Sequence, residues 1–323
     1  MKVLVDHMNF VFVAFHAIKK DLIEKGIEEF TEDNIGLFFH SLFNKYNTLF
    51  KTYGSLIICH EGMSSLDWRR NIYPDYKRNR DEGKKDPSYL VLKSTFDTIE
   101  KALSYYPCKQ IKVDYAEADD VIFALATYYA NKGEKVIIIS TDGDLTQIMD
   151  YSENIMIYNP IKKVFIPKKE NLVLYKAIVG DKSDNIPGVN RIGEKTFEKM
   201  LNDKNLWNEK LKNGNYEVFQ MFLKIVDLSK FPKEKHDEIV NIAETIEYST
   251  FNIPEIERFF FENKMQDHLF RWGSDYGEIV EKINSSNDNI KIINSIDYNS
   301  TINKKNLKNS KDEEIDDVLK DFL

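Results

Sequence analysis

Apolar residues in this chain follow two patterns: short unbroken runs, and longer stretches with apolar positions three and four residues apart. Val3–Val5 is a short run and predicts a buried strand. Residues 32–52 follow the second pattern, with Ile35, Phe38, Phe39, Leu42, Phe43, Tyr46, Leu49 and Phe50 on one helical face and Gly54 as a stop. Leu56–Cys59 predicts a second strand, after which residues 63–88 lose periodicity and fill with charge and turn formers. Tyr89–Tyr106 returns to helical spacing, Ile111–Val113 reads as a strand, and Glu117–Ala130 as an apolar-faced helix ended near Gly133. Val136–Ile139 is the clearest buried strand. Alternation this regular predicts an α/β fold, with a mostly parallel central sheet flanked by helices on both faces.

Beyond residue 160 the pattern changes. Leu172–Val179 predicts a helix, Asp184–Gly193 a loop, and Thr196–Leu201 the start of another helix, with helical segments continuing to about residue 283. From Asn284 the chain turns to Asn, Ser, Lys and Asp, a composition with too little apolar surface to order itself. It finishes in the acidic and apolar peptide 315–323. The expected division is an α/β unit at 1–180, a helical unit at 181–283, and a low-complexity linker with its terminal peptide at 284–323.

Composition narrows the class. With 323 residues, 42% hydrophobic and 13% aromatic, the chain has ample material for a packed core. Cys59 and Cys108 show no CxxC spacing, so neither a disulfide framework nor a thiolate zinc site is supported, and a reducing, cytoplasmic compartment is expected. The N-terminal apolar stretch is interrupted by Asp6, His7 and His16 and reads as strand and helix, not a signal peptide. No run reaches the ~18 apolar residues of a membrane span. A net charge of −8 argues against a generic nucleic-acid binder, unless the acid is gathered in one place and the cations in another.

The acid is indeed gathered. Asp6, Glu61, Asp142 and Asp144 follow predicted strands; Glu117, Asp119 and Asp120 open a helix; Asp181 and Asp184 lie in a loop. Singly, each has an ordinary explanation as a cap, a turn residue or a helix-dipole partner. Together, strand-end carboxylates in such a sheet converge on one edge, where like charges repel unless a cation sits among them. Oxygen ligands without His or Cys select Mg²⁺ or Mn²⁺ over zinc. Two such ions roughly 3.5–4 Å apart suit in-line attack on a phosphodiester.

Cations cluster nearby. Residues 69–85 hold seven Lys/Arg (Arg69, Arg70, Lys77, Arg78, Arg80, Lys84, Lys85) against three acids, with Trp68, Tyr73 and Tyr76 among them. Aromatics interleaved with cations are how proteins hold single-stranded nucleic acid. Lys77 and Arg80, three residues apart, are candidates to stabilise the charge of the phosphate being cut. In the loop 186–193, Gly188 and Gly193 allow close backbone approach to a phosphate, with Arg191, Lys195 and Lys199 alongside.

These residues resemble a known family. Tyr115-Ala-Glu117-Ala-Asp119-Asp120-Val, Ser140-Thr-Asp142-Gly-Asp144-Leu and Gly180-Asp181-Lys-Ser-Asp184-Asn-Ile-Pro-Gly-Val-Asn-Arg-Ile-Gly-Glu-Lys-Thr resemble, in order, three signatures of the flap-endonuclease superfamily of 5′ nucleases. That superfamily includes the 5′-3′ exonuclease domain of bacterial DNA polymerase I and phage-type RNase H. The resemblance runs from Asp6 to about Leu201, and Tyr76-Lys77-Arg-Asn-Arg80 resembles the basic motif of the family's helical arch, expected at about 63–90. It implies a PIN-like fold with a helix–hairpin–helix region. Asp6, Glu117 and Asp119 would hold a first metal; Asp120, Asp142, Asp144, Asp181 and Asp184 would surround a second. Glu61 stands where the family usually has Asp, and its longer side chain carries the carboxylate outward.

The resemblance further implies hydrolysis at 5′ flaps, 5′ ends of duplex, or RNA annealed to DNA, and so a part in replication or repair, including removal of RNA primers. It implies a potassium ion at the hairpin loop. The implied setting is a monomer in bacterial or phage-infected cytoplasm, with no membrane and with a sliding clamp or single-strand-binding protein as partner, the clamp through residues 315–323. A PIN-type single-strand ribonuclease would lack the duplex-binding hairpin, and a DNA-binding protein without catalysis would carry a broken acid set. Neither matches this pattern, whose one departure is Glu61.

Overall fold

The computed structural model describes residues 1–293 apart from 28, 82 and 287. β1 (Lys2–Asp6) runs directly into α1 (His7–Glu24); α2 (Ile35–Tyr53) leads to β2 (Leu56–Cys59). A short α3 (Asp67–Ile72), two single turns, α4 (Pro87–Ser94) and α5 (Phe96–Leu103) then lead to β3 (Cys108–Ile111). α6 (Ala118–Asn131), β4 (Val136–Ile139), a tight helical segment at 143–150, β5 (Ile155–Asn159) and β6 (Val164–Phe165) complete the sheet. Next come α7 (Leu172–Val179), α8 (Glu194–Asn202), α9 (Lys204–Lys210), α10 (Asn215–Val226) and α11 (Lys233–Thr245). A two-residue β7 (Phe251–Asn252), α12 (Ile253–Glu262), α13 (Gln266–Ser285) and β8 (Ile292–Ile293) close the described chain.

Strands lie in the order β3-β2-β1-β4-β5-β6, parallel except for β6. β4 is central and every residue in it is buried, as expected for a parallel strand covered on both faces. One face packs on α1 and α2, the other on α6. The expected fold class is the one observed. Three local expectations are not. The helix expected over 89–106 is broken at Thr95 into α4 and α5, where the Thr95 amide and hydroxyl both close on the Leu92 carbonyl in a tight turn. The strand expected at 111–113 sits at 108–111, placed by pairing with β2. The β5–β6 hairpin is an element the expected pattern omits, although Ile155–Tyr158 is an apolar run followed by an Asn-Pro turn.

The helical region is not one body. Residues from α7 to α10 share an apolar cluster with Tyr76. Leu228, Phe231, Ile239 and Ala243 instead pack with α6 against the sheet, and Phe251 to Ile283 join the α1–α2 face. Trp272 anchors that return: it is 1% exposed and meets Phe260 edge-on at 5.2 Å. The unit expected at 181–283 therefore ends as an independent cluster near Val226.

Candidate functional site

The acids meet at the carboxyl edge of the sheet because each strand delivers its own. Asp6 ends β1 and caps α1, accepting from the Asn9 amide at 3.2 Å and from Ser140 Oγ at 2.9 Å. Ser140 Oγ also accepts from the Asp142 amide, and Asn9 bonds Thr141, so the ends of β1 and β4 are tied together. Asp142 in turn accepts from the Asp144 amide at 2.8 Å. Glu61 is placed by Gly62, where a Cβ would stand 1.8 Å from the Val113 carbonyl oxygen; only glycine allows the two loops to cross so closely. Asp181 and Asp184 sit in a loop closed by paired backbone bonds between Asp181 and Ile186, each 2.7 Å.

The chain's own cations reach most of these carboxylates. Arg69, 2% exposed, forks onto Asp120 at 2.7 and 2.8 Å and donates to Glu117 at 2.8 Å. Lys77 is buried and donates to Glu117 at 2.5 Å, while Tyr76 Oη donates to the same carboxylate. Lys77 adopts a left-handed backbone, φ 53°, which is costly for a side chain with a Cβ, and its amide donates to the Asp184 carbonyl. Arg80 Nη2 donates to Asp184 at 2.8 Å, and Lys176 bonds both Asp144 and Asp181.

Asp6, Asp119 and Asp142 make no ion pair among the described residues. Burial, opposed by its hydrogen bonds and aided by Asp142 and Glu61, pushes the Asp6 carboxyl up to about 6. Asp119 is raised well above the usual carboxylate range by burial first, then by Asp142 and Asp6. Glu61 reaches solvent, yet desolvation and the Glu117 charge still raise it against Lys77, Lys84 and Arg80. Crowded oxygen donors without a counter-charge fit a hard divalent cation. Among the described residues no three acids form a closed cage, and cations stand between several of them. A cavity of about 880 Å³ opens beside Glu61 and Glu117, lined by Phe12, Phe15 and Phe96 and by Lys19, Lys77, Arg80 and Lys84.

The structure gives several of these residues partners of their own. Asp120, expected among the metal ligands, has both oxygens bonded to Arg69 and one of them also to the Glu117 amide, which fixes Arg69 and Glu117. Arg69 and Tyr76, expected to contact nucleic acid, are buried against the acids. Arg70 is occupied by the Tyr76 and Lys77 carbonyls and by Asp81. Trp68 and Tyr73 pack edge-on against Phe231 and Phe222 instead of facing solvent as base platforms. Arg78 is exposed and bonds the Pro74 carbonyl. Gly188 serves its own chain, since a Cβ there would lie 2.5 Å from Val179, whereas Gly193, Arg191 and Lys195 are exposed at the head of α8. Lys176 was not foreseen. Its one available signal is its place five residues before Asp181, which returns its ammonium to that loop.

The family described as the 5′-3′ exonuclease, N-terminal resolvase-like domain matches residues 1–179. A 5′-3′ exonuclease of Aquifex aeolicus is 30% identical over 246 residues, which span 73% of this chain and 77% of that protein. Ribonuclease H of Enterobacteria phage T4 is 27% identical over 225 residues, covering 62% of this chain and 72% of that one. Among solved structures, T5 5′-exonuclease with bound divalent zinc ions superposes with a TM-score of 0.52 at 20% identity, over 75% of this chain and 98% of that one. At that identity the likeness concerns the fold.

Proposed function

Because the chain belongs to the 5′-3′ exonuclease family, we propose that it is a metal-dependent 5′ nuclease acting on DNA in replication or repair. The observation that carries this reading is the cluster of carboxylates at the sheet edge, with Asp6, Asp119 and Asp142 in no ion pair among the described residues, beside the cations Lys77 and Arg80. Two divalent ions, Mg²⁺ or Mn²⁺ given the oxygen-only donors, would supply an activated hydroxide and neutralise the leaving oxygen. Asp6, Asp119 and Asp142 would hold one of them, with Glu117 behind its Lys77 and Arg69 partners and Glu61 beside it; Asp144, Asp181 and Asp184 line the other half.

Lys77 and Arg80 receive the scissile phosphate. Both are already oriented by Glu117 and Asp184, so their charges are in place before substrate arrives. Arg69 holds Glu117 and Asp120 fixed behind the reacting atoms. The cavity beside Glu61 and Glu117, lined by both aromatic and cationic side chains, suits an unpaired 5′ strand. Exposed Gly193, Arg191 and Lys195 at the head of α8 grip duplex phosphates without reading sequence, with potassium at that loop. The substrates are 5′ flaps, 5′ duplex ends and RNA–DNA hybrids. The setting we propose is the cytoplasm, with the protein acting as a monomer. Among the described residues no helix is long and apolar enough to cross a membrane. The peptide 315–323, our candidate for sliding-clamp binding, lies outside the described residues.

The test is digestion of end-labelled flap, nicked duplex and RNA–DNA substrates in Mg²⁺ beside Asp142→Asn. The variant should lose roughly a hundredfold or more in kcat, in line with removal of a group that acts on the reacting atoms. Full activity in the variant would refute the metal assignment.

A further inference from the structure

The acid row is compensated unevenly, and Lys176 is the residue that divides it. It lies in the last turn of α7 and is 9% exposed. Its Nζ donates to Asp144 Oδ2 and, at 2.5 Å, to Asp181 Oδ2. Those carboxylates come from separate segments, one following β4 and the other in the loop after α7, so one ammonium joins them. Beside it is a small void of about 30 Å³ whose wall includes Asp119, Asp144, Asp184, Lys176, Arg69 and Tyr76. That is room for about one water-sized species among polar partners.

An ammonium is a poor substitute for a divalent ion. It carries one charge and can only donate hydrogen bonds, whereas a divalent ion gathers several oxygens at short range. An ion in the void would draw on Asp144, which Lys176 already holds. A divalent ion bonded to the same carboxylate would repel the ammonium and draw on the same oxygen charge, so the two compete for Asp144. Asp6, Asp119 and Asp142 have no such occupant among the described residues.

We propose that Lys176 is a resident counter-ion of the Asp144–Asp181 half of the site, holding both carboxylates when no divalent ion is present and competing with the ion for Asp144. The inference rests on the metal-dependent reading above. It makes the two halves unequal: the half built on Asp6, Asp119 and Asp142 fills first, and the other fills only as the ammonium is displaced. The cost of displacement lowers affinity there and steadies the metal-free fold.

The test is Mn²⁺ titration of the full chain by calorimetry, without substrate, for the wild type, Lys176→Met and, as a surface control, the exposed Lys224→Met. The wild type should bind one ion tightly and a second more weakly. Lys176→Met should tighten the weak phase about tenfold and leave the tight phase unchanged, while Lys224→Met should match the wild type. In EDTA, Lys176→Met should melt below the wild type, and saturating Mn²⁺ should close that gap. Lys176→Gln, which keeps a neutral donor, should show the same tightening should the methionine variant fold poorly. An unchanged weak phase in both variants, or equal tightening of both phases, overturns the role of Lys176 alone. No Mn²⁺ binding by the wild type overturns the metal reading and this inference with it.

Discussion

At the scale of single residues, the site depends on buried charges that compensate one another. Arg69 is the clearest case, since its fork serves Asp120 and Glu117 at once and neither acid has solvent to fall back on. Arg69→Met should cost about 3–5 kcal/mol in urea unfolding, because two buried carboxylates lose their partner. Adding Asp120→Leu should recover part of that loss; a double variant as unstable as the sum of the singles would contradict the pairing. Sequence alone did not separate Arg69 from Arg80, two arginines in one basic stretch. One is buried and the other exposed, and only the packing of α3 against α6 and α10 distinguishes them.

At the scale of elements, two joints carry testable strain or charge. In the loop 180–188, Gly188 has φ +78° and no room for a Cβ, whereas Gly193 has nothing within 4 Å. Gly188→Ala should therefore cost more than about 2 kcal/mol and weaken binding of duplex, while Gly193→Ala should cost less than about 1 kcal/mol. Equal losses by thermal melting would sink that distinction. The second joint is α13 on α2, where His268 meets His40 and Asn47, with Arg271, Asp267 and Asp275 nearby. Burial holds His268 down to about 4, against an ordinary value of 6.5. As pH falls from about 6.5 to 4 the unfolded chain takes a proton that the native one refuses, so stability falls. The loss by pH 5 is on the order of 1–2 kcal/mol. His268→Gln should flatten that part of the pH profile relative to wild type; parallel profiles would exclude this histidine.

Across the whole molecule, a net charge of −8 had seemed to oppose nucleic-acid binding. The fold answers by sorting charge: carboxylates gather at one sheet edge, several bound to internal cations, while Arg191 and Lys195 remain exposed at the head of α8. Metal binding should then be coupled to protons. Asp6 and Asp119 are raised first by burial and then by neighbouring carboxylates, Asp142 foremost, so acid leaves them protonated and a divalent ion must displace those protons. We expect Mg²⁺ to raise the melting temperature more at pH 7.5 than at pH 5, and the increment to shrink in Asp142→Asn. An equal increment at both pH values would place the ion elsewhere.

Local pattern was enough for the α/β class, the strands at β1, β2 and β4, and the acids that follow them. A strand buried on both faces must be uninterruptedly apolar, and an acid at its end is then conspicuous. Pattern could not say which acids face one another or which cations answer them. Arg69, Tyr76 and Trp68 turned inward, Arg69 onto Asp120, and Lys176 entered the site, all through contacts between residues distant in the chain. The return of residues 228–283 to the sheet was hidden for the same reason. An amphipathic helix announces that it has an apolar face, and only the tertiary structure decides what that face covers.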